Sequence, residues 1–202
     1  MFKRTKSILF SLIAFVVLVI GGKFYMDRMK VDNLYRHGFQ LYEEQIATYL
    51  KEHYSGISKI EFSPIFKSGG SGEGFVYARI VPVVYDTYGN KVYLRNDGVL
   101  KMGVADYEMT AGIDLDFNVN DGSEIIYLRN DQKESISVES YQNLPDELKL
   151  NKDEITDEVM EAFSREGHLK GVEKNSQGSP EAEIVYNLEI RRVQGREFYE
   201  WK

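Results

Sequence analysis

Residues 8–22 read ILFSLIAFVVLVIGG, a run with no charge and with Ser11 as its one hydroxyl. Such a run cannot sit on the surface of an ordinary globular helix, because it offers no polar face to water. Fifteen helical residues reach roughly 22 Å, short of a ~30 Å hydrocarbon core, and extension through Lys23, Phe24, Tyr25 and Met26 brings the length to about 28 Å. Lys3, Arg4 and Lys6 lie before the run. This pattern predicts a signal-anchor or transmembrane helix over residues 8–26. It places the N-terminus in the cytoplasm and the rest of the chain outside, as a single-pass protein of the cell membrane. A cleaved signal peptide is the alternative; Gly21-Gly22-Lys23-Phe24-Tyr25 after the run does not supply a small-x-small cleavage site.

The expected division is therefore 1–26 as anchor and 27–202 as a single extracytoplasmic α+β domain. Lys3, Arg4, Lys6 and Lys23 precede the first acid, Asp27. Of the 25 basic residues, 21 remain beyond the anchor against 32 acids, a formal −11. A domain this acidic is repelled by phosphate backbones, so no nucleic-acid partner is expected. The chain has no cysteine, which removes disulfides, thiolate metal sites and cysteine nucleophiles together.

Within the domain, Tyr35, Phe39, Tyr42, Ile46 and Tyr49 recur at spacings of four and three, which predicts an amphipathic helix over 31–55 with Gly56 at its end. Strand signals follow. Ile60 and Phe62 alternate with Glu61 and Ser63. Phe75 to Tyr85 reads as one long strand in which Pro82 marks an edge or bulge. Tyr88-Gly89-Asn90 and Asp97-Gly98 mark turns. Ile113 to Asn120 alternates apolar and polar, and Asp121-Gly122 reads as a two-residue hairpin turn. That turn would set Phe117 opposite Ile126, Leu115 opposite Leu128, and Asp114 across from Arg129 as an ion pair.

Residues 133–141 add a further strand signal. An acidic helix is expected from Asp153 to Arg165, with Ile155, Val159 and Ala162/Phe163 inward and Gly167 ending it. Glu181 to Arg192 reads as a last strand, before a Gly195 turn and Phe198, Tyr199 and Trp201. The fold class is α+β: an N-terminal transmembrane helix, then one long helix packed on an antiparallel β meander, with the acidic helix near the C-terminus.

No motif for catalysis, cofactor or metal emerges. Gly69 to Gly74 is glycine-rich but lacks the Lys-Ser/Thr of a phosphate loop and leads toward a strand. Asp114, Asp116, Asn118, Asn120 and Asp121 look like a calcium loop. However, an EF-hand starting at Asp116 would need Gly and Glu where Asp121 and Tyr127 stand. His37, His53 and His168 form no zinc pair, and no Gly-x-Ser-x-Gly elbow occurs. Tyr93-Leu94-Arg95-Asn96-Asp97 recurs as Tyr127-Leu128-Arg129-Asn130-Asp131. This reads either as a duplicated recognition strip or as two strands meeting the same half-buried environment.

The stretch Tyr42-Glu43-Glu44-Gln45-Ile46, then Tyr49-Leu50-Lys51-Glu52-His53-Tyr54 and Ser58-Lys59-Ile60-Glu61-Phe62, resembles small cell-envelope proteins and lipoproteins of Gram-positive bacteria. In these a basic-apolar anchor precedes such a helix and a strand meander. The resemblance covers residues 1–95. The sequence departs from it by lacking the lipid-attachment cysteine and by its longer C-terminal part. It implies an envelope location and no activity, and no functional residues transfer. The expected function is a membrane-anchored, non-enzymatic protein-binding module of the envelope, contacting membrane through residues 8–26 and a protein partner through the domain. The alternatives are a structural subunit of a membrane complex and an envelope hydrolase using carboxylates. No catalytic residue is assigned, and no cofactor or metal is expected.

Overall fold

The computed structural model describes the backbone of residues 2–69, 76–95, 112–120, 122–193 and 201, with side chains from residue 15 onward apart from Val76. Helix α1 occupies Phe2–His53 and runs into β1, Tyr54–Ser55. Strands β2 (Ile57–Phe62), β3 (Ile65–Gly69), β4 (Val76–Arg79), β5 (Pro82–Asp86) and β6 (Lys91–Tyr93) follow. Next come β7 (Ile113–Phe117), β8 (Glu124–Arg129) and β9 (Ser135–Ser137). Helix α2 spans Glu154–Arg165, and β10 (Glu173–Lys174), β11 (Glu183–Val185) and β12 (Ile190–Arg192) complete the order. The chain divides into two compact units, Met1–Tyr35 and Arg36–Lys202.

The first unit is helix. Phe15, Leu18, Ile20, Phe24 and Tyr25 are all more than half exposed. The expected membrane span is corrected: among the described residues no helix is long and apolar enough to cross a membrane. Residues 8–14 lie outside the described side chains. Residues 15–22 are uncharged, but Lys23, Asp27, Arg28, Lys30 and Asp32 follow in the same helix, and charges are costly in hydrocarbon. The predicted single-pass placement, N-terminus inside and domain outside, loses its basis with the span.

The second unit is built around the end of α1. The predicted stripe is buried at Phe39, Tyr42, Ile46 and Tyr49, but so are Leu41, Glu43, Gln45, Ala47 and Leu50. The helix is enclosed rather than laid on one sheet. On one side Gly38 lets β8 approach: a Cβ there would lie 2.8 Å from the Ile126 side chain. Gln45 Nε2 donates to the carbonyls of Arg129 (3.0 Å) and Leu148 (2.5 Å), fastening β8 and the 144–150 segment to the helix.

The main sheet is mixed, which corrects the antiparallel meander. Strand β5 pairs antiparallel with β2 and with β6, while β11 adds parallel to the other edge of β2. A parallel neighbour requires a long crossover, here everything between β2 and β11. Beyond a break, β3 pairs antiparallel with β4 and parallel with β12. The predicted strands 75–85 and 181–192 are thus each two strands in two sheets, with Phe75 outside the described residues.

Ser63 makes the break. Its N–H donates to the Val81 carbonyl (3.0 Å), and its hydroxyl oxygen accepts from Val81 N–H (2.7 Å). A side chain thereby takes the place of a backbone carbonyl where the ladder is interrupted. Pro82 opens β5 just after this point, the strand position that tolerates a missing donor.

Strands β7, β8 and β9 form a separate sheet. Its hairpin register differs from the expected one by two residues: Leu115 faces Ile126 and Ile113 faces Leu128. The loop is longer than two residues, with Asn118 N–H donating to Ser123 O (2.8 Å) and Gly122 N–H to Asn118 O (2.8 Å). A shift of two preserves which face each side chain takes. The Asp114–Arg129 pair therefore forms as a diagonal, with Nε–Oδ2 at 2.8 Å and Nη2–Oδ1 at 2.6 Å.

Helix α2 starts at Asp153, whose carboxylate accepts from Ile155 N–H (3.2 Å), Thr156 N–H (3.1 Å) and the Thr156 hydroxyl (2.5 Å). Its buried residues are Thr156, Val159, Met160, Ala162 and Phe163. Ile155, expected inward, is exposed; the cap turns Thr156 in and Ile155 out. Gly167, at φ 78°, ends the helix. The expected turns at Asp97-Gly98 and Gly195, and Phe198 and Tyr199, lie outside the described residues.

Asp157 ties these parts together. One carboxylate oxygen accepts from the Tyr49 hydroxyl of α1 (2.7 Å) and the Tyr54 hydroxyl of β1 (2.6 Å). The other is 2.5 Å from Lys174 Nζ of β10. Burial opposes ionisation, but Lys174 and the two hydroxyls outweigh it and hold Asp157 below the usual carboxylate range. The same burial and the shared carboxylate push both tyrosines up. Asp157→Ala should lower the unfolding free energy by about 3 kcal/mol, since it strands two hydroxyls and an ammonium. The depressed folded-state value means that the contribution is present at neutral pH and fades as pH falls through it, so urea melts at pH about 7 should separate the variant from the parent more than melts at pH about 3.

Candidate functional site

The residues singled out by the sequence are mostly engaged in local structure. Asp114 is held by Arg129 and by the Ser135 hydroxyl (2.9 Å). Asp116 accepts from Phe117 N–H (2.7 Å) and Asn118 from Asn120 N–H (2.9 Å), while Asp121 lies outside the described residues. Among the described residues no group of three or more His, Cys, Asp or Glu could hold a metal ion. His37 Nε2 lies 3.1 Å from the Val138 carbonyl, His53 stacks on Tyr49, and His168 Nε2 lies 3.7 Å from Glu166. The glycine-rich segment beyond Gly69 is outside the described residues. On α2, Glu154, Glu158 and Glu161 are exposed while Asp157 turns inward.

The paired Tyr-Leu-Arg segments share a structural problem rather than a site. Leu94 and Leu128 are both fully buried. Their arginines diverge: Arg95 Nη1 donates to the Trp201 carbonyl (2.8 Å), and Arg129 meets Asp114. Asn96 and Asp97 lie outside the described residues.

Two features were not read from the sequence. The first is a row of aromatic and cationic side chains across the outer face of the main sheet. Cross-strand register places Glu183, Lys59, Tyr85 and Lys91 side by side. The opposite face carries Ile60, Val84 and Val92, all buried. Lys59 Nζ lies 4.9 Å from the Tyr85 ring centre and Lys91 Nζ 5.9 Å from it on the neighbouring strand. Lys91 is also 5.0 Å from the Tyr93 ring, and the Arg95 guanidinium is 4.7 Å from the same ring. Such contacts hold the cations over the ring faces.

Glu61 pins the row. It accepts from the Tyr85 hydroxyl (2.8 Å) and pairs with Lys59 (3.0 Å). Burial acts against its ionisation, but Lys59 and Tyr85 hold it below the usual range. Burial and Glu61 together push the Tyr85 phenol up to about 12. Tyr88, at the turn between β5 and β6, is exposed beyond the row. The turn itself is locked by Asp86, whose carboxylate accepts from Tyr88 N–H (2.9 Å), Asn90 N–H (2.8 Å) and Lys170 N–H (2.8 Å).

The second feature is Glu43, whose side chain is fully buried on α1. Its Oε2 accepts from Asn187 N–H (3.1 Å), and its Oε1 has no hydrogen-bond partner among the described residues. Burial pushes this carboxyl up to about 8, against the pull of the Asn187 N–H. The alternation signal could not find it, because Glu43 lies off the apolar stripe where a solvated face is expected.

No protein-family model, no curated protein and no solved structure matches this chain.

Glu43 should leave a signature in stability. Its folded-state value lies above its ordinary 4.5. The folded state is therefore favoured most below that ordinary value and loses stability as pH climbs toward about 8. Glu43→Gln, which keeps the acceptor for Asn187 and cannot ionise, should exceed the parent by on the order of 3–4 kcal/mol at pH about 8, with the gap closing toward pH about 5. Denaturant melts at the two pH values read this directly; a gap that does not change with pH contradicts the assignment.

Proposed function

We propose that this chain is a non-enzymatic protein-binding module and that its partner docks on the outer sheet face marked by Lys59, Tyr85 and Lys91. The observation that carries this reading is the cation–aromatic row itself. Each ring is flanked by ammonium or guanidinium groups at 4.7–5.9 Å on a chain whose formal charge is −7. Tyrosine and arginine are the side chains that most often dominate binding energy, because they offer broad rigid contact with a polar end. Strand register fixes their spacing before any partner arrives, which reduces the ordering cost of association. Lys59 and Lys91 favour a partner surface bearing carboxylates.

On these strands Lys59, Tyr85 and Lys91 lie on the face away from the buried Ile60, Val84 and Val92, while Tyr93 at the end of the row packs against the buried Phe66 and Val81. A surface ordered in this way and still exposed at Lys91 is well suited to contact another molecule.

A photo-reactive amino acid placed at position 91, and separately at position 158 on α2, tests the assignment in cells making the full chain. The face position should crosslink one protein of defined mass and the α2 position should not. Lys91→Glu combined with Tyr85→Ala should reduce that adduct at least about tenfold while leaving the melting curve of the purified chain within a few degrees. Equal capture at both positions, or none at position 91, would sink the assignment.

A further inference from the structure

The cation–aromatic row ends at a slot that already holds a side chain. The Trp201 ring meets Tyr93 edge-on, with ring centres 5.9 Å apart and planes at 86°. Together with Val193 it packs against the buried Phe66 and Val81. Arg95 is buried, with its guanidinium 4.7 Å from the Tyr93 ring, and donates from Nη1 to the Trp201 carbonyl (2.8 Å). Apolar walls and one positioned guanidinium thus grip a single residue by its ring and its backbone.

The rim of this slot is cationic. Lys91 Nζ lies 5.0 Å from the Tyr93 ring centre. Strand register sets Arg191 of β12 and Arg79 of β4 on either side of Phe66 in β3. Glu189 meets this rim and is paired with Arg191 at 2.9 Å. The guanidinium fork fits a carboxylate with two parallel hydrogen bonds, and such charge-assisted bonds are roughly twice as strong as neutral ones. At Trp201 the Arg95 fork meets only a neutral carbonyl. The occupant comes from a segment that suits the rim: Glu197, Phe198, Tyr199 and Glu200 precede Trp201, so carboxylates stand among aromatic rings.

Trp201 belongs to no helix or strand and is partly exposed. Being on the same chain keeps the indole at a high effective concentration over the slot. A competitor therefore needs something that Trp201 lacks, and a carboxylate on Arg95 supplies it. We propose that the slot is the partner's anchoring point: an acidic segment of the partner places an aromatic side chain where Trp201 sits and a carboxylate on Arg95, with Trp201 as the resident competitor. This rests on the docking face proposed above. Tyr93 links the two, since it carries Lys91 on the row side and Trp201 on the slot side. Displacement of the indole opens the end of the row to the partner.

Trp201 is the chain's one tryptophan, so its fluorescence reports the slot in the full, unsubstituted chain. Titration with acetyl-Glu-Glu-Phe-Glu-Glu-amide should move its emission to the red, toward that of the urea-unfolded chain, as the indole enters water. The same peptide with Gly for Phe, or with Gln for every Glu, should leave it in place. Measured by anisotropy of a dye-labelled copy, Trp201→Ala should bind the acidic Phe peptide about tenfold tighter than the parent, because the slot no longer has to be vacated. Trp201→Phe should restore most of the parent's weaker binding. Unmoved emission in the parent, or equal affinity in parent and Trp201→Ala, overturns the proposal. A parent dimer in sedimentation that Trp201→Ala loses also overturns it, because the occupant is then a second copy of this chain. The docking reading fails separately. Peptide results as expected with no protein crosslinked at position 91 remove the protein partner and keep the slot. A crosslink at 91 whose yield is unchanged in Trp201→Ala, without the red shift, removes the slot alone.

Discussion

The carboxylate of Asp157 is the point at which four elements of the compact unit meet. Helix α1 and strand β1 reach it through Tyr49 and Tyr54, and β10 reaches it through Lys174, while Asp157 itself belongs to α2. Two phenols and an ammonium share one mostly buried acid, so no partner can leave without stranding another. The arrangement fixes the angle at which α1 hands the chain to β1. That handover is tight: Gly56, at φ 79°, lies where a Cβ would be 2.0 Å from the Gly171 carbonyl oxygen. Close approach of two backbone segments at this corner leaves room for glycine alone. Ser179 closes the same corner, its hydroxyl donating to the Tyr54 carbonyl (2.7 Å) and accepting from Ile57 N–H (2.9 Å).

With the corner set, the enclosure of α1 follows. Its C-terminal turns are covered by β8, by the 144–150 segment and by the connector between β11 and β12. Polar side chains on the covered side must then find backbone partners. Gln45 does so through two carbonyls, and Glu43 through one N–H. The difference between them explains why one is a fastening and the other a titrating group. An amide donates to carbonyls without carrying charge, whereas a carboxyl must keep its proton to remain comfortably buried.

Local pattern made much of this legible. The stripe Phe39, Tyr42, Ile46 and Tyr49 marks a helix because each is four or three residues from the next, and each is buried. The alternation at Ile113 to Phe117 marks a strand, and its parity even yields the Asp114–Arg129 pair despite a register two residues off. What pattern could not convey were events decided by distant residues. The split of 75–85 into β4 and β5 depends on Ser63, and the parallel placement of β11 and β12 depends on a crossover. The burial of Glu43 depends on Asn187, 144 residues away. The apolar run at 8–22 shows the opposite limit: a strong local signal led to a membrane span that the described residues do not support. The cation–aromatic row was hidden for a related reason. Lys59, Tyr85 and Lys91 are remote in sequence and become neighbours only through strand register.

That row also bears on how an acidic chain can attract anything acidic. Net charge acts at long range, but salt limits it to about 8–10 Å in ordinary buffers. Within that distance a partner meets the local pattern rather than the sum. The row holds two acids, the exposed Glu183 beside Lys59 and Glu61; Glu61 is committed to Lys59 and the Tyr85 hydroxyl, so it neutralises part of the charge while holding the rings in place. Lys91, exposed at the opposite side of Tyr85, keeps its ammonium toward solvent between two rings. An approaching carboxylate would therefore find a positioned cation with aromatic surface on both sides. The long-range repulsion of the whole chain would slow encounter with partners lacking a matching geometry. The two effects act on different steps, the first on residence and the second on approach, and together they favour selectivity over speed.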